Sequence, residues 1–161
     1  MVGGGSLPPQ LYDRPHEDEL QPNRDRMEEQ VIHYCVAHGI PIIATCRGMQ
    51  YINVMFGGKL WYHPKLPVNR TRGVDHQVWL VKEQRNIWVN NYHSDCIYEE
   101  GLASCFEPLA IDRENHVVEA YGSDEMKILA LQWHPERRFE TANAYEETRK
   151  IILDFIQKYV K

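Results

Sequence analysis

The stretch PIIATCRGMQYINVMFGG, residues 41–58, most constrains what this chain can fold into. Ile42, Ile43 and Ala44 form a short apolar run, the pattern of a strand buried in a parallel sheet. Met49, Ile52 and Phe56 then recur at helical spacing, and Gly57-Gly58 closes the segment, which predicts a helix from Arg47 to Phe56. Between the two lies Ala44-Thr45-Cys46-Arg47-Gly48. A strand that runs straight into a helix must turn sharply, and small residues two places before and after the central one permit it. A cysteine at that centre has the pattern of a nucleophile elbow, and the helix N-terminus favours its thiolate. Taken alone, a cysteine after an apolar strand is more often a core residue, so its role depends on partners elsewhere in the chain.

The 161 residues suit one domain, 1–161, with a substantial core. A net charge of -5 argues against a nucleic-acid surface, and Arg70, Arg72, Arg137 and Arg138 make only short basic clusters. No apolar run approaches a membrane span. The start, MVGGGSLPPQ, lacks the basic and apolar regions of a signal peptide, so a cytoplasmic location is expected. Cys35, Cys46, Cys96 and Cys105 are irregularly spaced, against a disulfide framework. His93 and Cys96 form HxxC, but no second ligand pair follows at zinc-site spacing, and no metal is expected.

Proline and charge over residues 6–22 mark a loop, after which a helix should start at Asn23. Asp25, Glu28 and Glu29 would sit near its positive end, and Met27, Val31 and Cys35, beside Ile32 and Val36, would form its buried stripe. Later segments read as hairpins: HQVWLV with NIWVN, then CFEPLAID with HVVEAYG. KILALQW is a further strand leading into HPE, and the last helix would face Ile152, Phe155, Ile156 and Tyr159 inward. The whole reads as an α/β fold.

QWHPE supplies candidate partners for the thiol. His134 and Glu136 are two apart, so in an extended segment both side chains leave on one side. A carboxylate there can hold an imidazole while the other ring nitrogen serves a thiol. Without Cys46, a histidine in a surface turn would explain the pattern as well. Gly3-Gly4-Gly5 could bring backbone N–H groups close to an oxyanion, alongside the amide of Arg47. A plain flexible terminus fits the same glycines, whereas phosphate binding lacks the following lysine.

At this point the residues resemble a known family. GGGSLPPQLY, NRDRMEE, PIIATCRGMQYINVMFGG, VNNYHSD and LQWHPE match, in order, the class I glutamine amidotransferase-like superfamily, in its γ-glutamyl hydrolase (peptidase C26) branch. The resemblance implies a flavodoxin-like fold, with a mainly parallel sheet plus antiparallel hairpins and a Cys-His-Glu triad. Carried over by position, Cys46 would be the nucleophile, His134 the general base and acid, and Glu136 its orienter. Gly4 or Gly5 and Arg47 would form the oxyanion hole. Gln50 falls where the family holds the γ-glutamyl group, and His93 where a histidine lines the pocket, although a loop histidine fits that position equally well. Ala44 replaces the usual glycine, Ser6 a usual aspartate, and HSD the commoner HHQ.

Only Met1 and Val2 precede the glycine loop, which should end a buried strand. The domain is therefore expected to lack the family's N-terminal strand-helix units. Either the reading frame starts too late, or the sequence is a fragment, or a homodimer contact or companion chain covers the side of the sheet so exposed. The expected reaction is hydrolysis of a small-molecule γ-glutamyl amide through a thioester, with no metal or organic cofactor, no nucleic acid and no membrane. The alternatives are a glutaminase subunit supplying ammonia to a partner synthetase, and an inactive truncated remnant.

Overall fold

The computed structural model describes residues 7–8, 11–12, 21–62 and 72–160. Gly3, Gly4, Gly5, Ser6 and Arg70 lie outside them. In chain order the elements are α1 (Pro22–Ala37), β1 (Ile42–Thr45), α2 (Arg47–Met55), β2 (Trp61–Tyr62), β3 (Asp75–Leu80), β4 (Arg85–Asn90), β5 (Asp95–Cys96), β6 (Glu107–Asp112), β7 (Val117–Ser123), β8 (Ile128–Leu131) and α3 (Ala144–Tyr159). Six strands form one sheet in the order β1-β8-β7-β6-β3-β4, and β2 pairs with β5 separately.

Both expected hairpins form, β3 with β4 and β6 with β7, and β8 folds back antiparallel on β7. Short connections join antiparallel neighbours, whereas a parallel pair needs a long crossover. The parallel component is therefore confined, among the described residues, to β1 and β8, where Ala44 faces Ala130 and Thr45 faces Leu131. The sheet is mixed, and its parallel pair is the one that carries the candidate site.

Side-chain alternation along this pair builds two cores. Ile42, Ala44, Ile128 and Ala130 join Ile32 of α1 and Met49 and Ile52 of α2 on one face. Leu129 and Leu131 turn the other way, toward Trp133 and the Ile151, Ile152 and Phe155 side chains of α3. Ala44 is completely buried in the first core, so the methyl group that replaces the usual glycine is accommodated.

Two expected helix faces differ from those observed. In α1, Met27 and Val31 are exposed and Cys35 is only half-buried, while Asp25, Glu28 and Ile32 are buried. Residues 25, 28 and 32 share one helical face, and its two acids pair with Arg47 at the start of α2. Satisfying that buried guanidinium decides the rotation of α1 over the claims of the apolar stripe. In α3, Ile152 and Phe155 pack against the second core as expected, with Ala144 and Thr148 the fully buried positions; Ile156 and Tyr159 are half-buried outside that cluster, and the Tyr159 hydroxyl donates to Asp124 at 2.5 Å. No helix among the described residues is long and apolar enough to cross a membrane.

Candidate active site

Cys46 sits between β1 and α2 with φ 47° and ψ -109°. Positive φ costs a non-glycine residue about 1–3 kcal/mol and persists only where the surroundings hold it. Here both neighbours do. The Cys46 N–H donates to the Leu131 carbonyl at 2.7 Å, extending the β1–β8 ladder by one rung. Its carbonyl accepts the Gln50 N–H at 3.1 Å, the first turn of α2. One residue thus belongs to a strand and a helix at once, and the chain has no slack in which to relax. The four cysteines are not joined in disulfides.

Arg47 follows, its side chain completely buried and directed at Asp25 and Glu28 rather than at a ligand. Its backbone N–H belongs to the first turn of α2, where helix geometry provides no intrahelical acceptor.

His134 leaves the same end of the sheet, three residues after Leu131 on the strand beside β1. Its ring nitrogen Nδ1 is 2.6 Å from Glu136 Oε1 and, facing a carboxylate, donates. Nε2 is then the nitrogen left for proton transfer. Asn90 at the end of β4 clamps the backbone of His134 with both ends of its amide. The His134 N–H donates to Asn90 Oδ1 at 2.9 Å, and Asn90 Nδ2 donates to the His134 carbonyl at 2.9 Å. Both residues are buried.

Burial pushes the His134 imidazole below its ordinary range, more than the hydrogen bond and charge of Glu136 raise it; Arg137 and His93 push the same way as burial. Burial also raises the Glu136 carboxyl, but hydrogen bonds from His134 and its own backbone, with the nearby Arg137, bring it below the usual value. At neutral pH the pair is therefore a neutral imidazole on an ionised carboxylate, the resting state of a general base and its orienter.

Gln50 is buried, and its amide nitrogen donates to the Asp95 carbonyl at 3.1 Å and to Gln132 Oε1 at 3.2 Å. Both N–H groups being committed, Oε1 is the end left for a ligand donor. The His93 side chain is only 2% exposed; Nδ1 donates to the Asp95 carbonyl at 3.0 Å and Nε2 lies 3.7 Å from Glu119. It is tied into the wall of the site. The structure thus gathers Cys46, Arg47, His134, Glu136, Gln50 and His93 around the ends of β1, β8 and β4, while Gly4 and Gly5 fall outside the described residues. Two cavities, of about 330 Å³ beneath α3 and about 320 Å³ beside α1, include neither Cys46 nor His134. Among the described residues no cluster of His, Cys, Asp and Glu could hold a metal ion.

Sequence reasoning missed Asn90, Glu119, Gln132 and the Asp25–Glu28 clamp on Arg47. For Asn90 and Gln132 a signal existed: each is a polar residue directly after a strand-like apolar run, where burial demands a partner.

The sequence profile of the family Peptidase C26 matches residues 1–136. The chain is 30% identical over 160 residues to a putative glutamine amidotransferase-like protein, YvdE, of Lactococcus lactis, covering 88% of this chain and 66% of that one. It is 28% identical over 157 residues to the gamma-glutamyl-gamma-aminobutyrate hydrolase PuuD of Escherichia coli, covering 81% and 60%. It thus spans less than two thirds of the length of these curated relatives. A solved glutamine amidotransferase from Thermotoga maritima shares the fold, with a TM-score of 0.60, 18% identity and coverage of 91% of this chain and 61% of that one.

Proposed function

This chain belongs to the peptidase C26 family, and from that premise we propose that it carries the catalytic centre of a cysteine-dependent hydrolase of γ-glutamyl amides. Cys46 Sγ attacks the γ-carbonyl carbon while His134 Nε2 takes the thiol proton. The Arg47 amide, with Gly4 or Gly5 as the family resemblance implies, donates to the tetrahedral oxyanion. Collapse breaks the C–N bond, His134 returns the proton to the leaving amine, and a thioester remains on Cys46. His134 then takes a proton from water, whose oxygen attacks the thioester, and the proton returns to the thiolate as glutamate leaves. Glu136 holds the ring and stabilises its charged form. Gln50 Oε1 accepts from an N–H of the γ-glutamyl group.

The observation that supports this reading is the placement of a positive-φ cysteine and a carboxylate-bound imidazole after the same end of two adjacent parallel strands. The name of the Escherichia coli relative points to a γ-glutamyl amine as the class of substrate. The test is release of glutamate from a panel of γ-glutamyl amines and from glutamine, with Cys46→Ala as control. Loss of a triad nucleophile should lower kcat by about 10⁴-fold or more. Turnover that survives the substitution rules the reading out. Preference for glutamine only in the presence of a synthetase would move the assignment to an ammonia-supplying subunit.

A further inference from the structure

The Glu136 carboxylate that orients His134 is 48% exposed, so burial does not fix it. Two groups meet its Oε1: His134 Nδ1 at 2.6 Å and Arg137 Nε at 4.0 Å. The second gap is too wide for a hydrogen bond, so Arg137 acts on the carboxylate as a charge.

Tyr92 fixes where that charge sits. The Arg137 guanidinium is 40% exposed, yet its central carbon lies 4.4 Å from the centroid of the Tyr92 ring, a cation–π seat. The same ring packs on the His134 imidazole, with centroids 5.6 Å apart and planes at 84°. The backbone closes the arrangement, since the Arg137 N–H donates to the His134 carbonyl at 3.1 Å. One aromatic ring thus touches both the candidate base and the cation beside its orienting carboxylate.

We propose that Tyr92 and Arg137 are positioning residues for the catalytic pair: the ring seats the guanidinium beside Glu136, and the seated charge keeps that carboxylate ionised and opposes a second positive charge on the imidazole. A general base must rest neutral. Glu136 favours the imidazolium, and Arg137 offsets part of that pull. Among the described residues, the charges acting on His134 are those of Glu136 and Arg137 on its own turn and of His93 in the loop before β5. Tyr92 in that loop and Cys46 at the end of β1 are the other titratable groups of the site. The seat matters because an exposed cation without a fixed position is averaged into solvent and screened. The inference rests on the proposed role of His134 as the base.

The experiment reads His134 in two ways. One is the titration of its imidazole by NMR, with the signal assigned by its loss in His134→Ala. The other is the acid limb of kcat/KM on the best γ-glutamyl amine. At low salt, Arg137→Gln should move the titration to higher pH and lower kcat/KM on the acid limb about threefold, the influence of one half-exposed charge. Tyr92→Leu, which unseats the guanidinium, should shift both the same way; if it does not fold, Tyr92→Met takes its place. Tyr92→Phe keeps the ring and Arg137→Lys keeps a cation, so both should stay closer to the wild type. Arg138→Gln removes the same charge from an exposed neighbour and should shift neither. The gap between wild type and Arg137→Gln should narrow as salt rises. An Arg137→Gln titration identical to wild type at low salt, or an equal shift in Arg138→Gln, overturns the proposal. A shift in Arg137→Gln with none on unseating by Tyr92→Leu or Tyr92→Met overturns the role of Tyr92. The NMR titration needs no turnover, so a wild type that titrates as expected but hydrolyses no γ-glutamyl compound refutes the reading beneath the proposal instead.

Discussion

Replacing Arg47 by methionine tests whether the elbow is held from behind by charge. The guanidinium is 1% exposed, and its partners Asp25 and Glu28 are 12% and 9% exposed. Removing one member of a buried pair leaves a charge stranded, at about 3–5 kcal/mol. Glu28 keeps a second partner, Arg24 Nε at 2.8 Å, whereas among the described residues no other side chain pairs with the Asp25 carboxylate. The cost should therefore lie near the lower bound, roughly 3 kcal/mol, and come mainly from Asp25. For a chain of this size it corresponds to a fall in Tm of about 6–12 °C. Urea unfolding of Arg47→Met, Arg47→Met/Asp25→Asn and Arg47→Met/Glu28→Gln measures it. Neutralising Asp25 should recover most of the loss, and neutralising Glu28 little. A single substitution within about 1 kcal/mol of wild type, or recovery through Glu28 instead of Asp25, refutes the reasoning.

Asn90→Ala removes both hydrogen bonds on the His134 backbone; kcat should fall roughly 10–100-fold through misplacement of the imidazole, with Cys46 still open to alkylation. Because burial lowers the His134 pKa, the neutral base persists to lower pH, so the acid limb of kcat/KM should lie below the ordinary histidine value of about 6.5. Glu136→Gln removes the influence that raises His134, so the limb should move further down as kcat drops; a shift upward contradicts the assignment. Ala44→Gly, which empties a fully buried methyl position in β1, should cost about 1 kcal/mol in urea unfolding without altering kcat.

What could be read from the sequence was what depends on near neighbours. The turn at Cys46 is written within five residues, since the strand, the small flanking residues and the helix each leave a local pattern. His134 and Glu136 are two apart, so their meeting needs only an extended backbone. The hairpins β3–β4 and β6–β7 are likewise contiguous. Contacts between distant segments were not legible. The Arg47 clamp spans 22 residues to Asp25, and it overrode an apolar stripe in α1 that Met27 and Val31 described convincingly. Asn90 and His134 are 44 residues apart. Glu119 stands in the strand segment HVVEAYG, where nothing local shows that both faces of β7 are buried. Arg47 illustrates the boundary well. Its place after the candidate nucleophile was evident, but the destination of its side chain was not.

The central claim, that Cys46 is the nucleophile of a γ-glutamyl site, is tested most directly by covalent trapping. The chain is incubated with a diazoketone analogue of glutamine, and the adduct is located by intact mass and peptide mapping. The account predicts one adduct, on Cys46, that forms more slowly in His134→Ala and is suppressed by competing γ-glutamyl amine. Labelling of the exposed Cys105 at the same rate, or γ-glutamyl turnover with Cys46 left unlabelled, would contradict it.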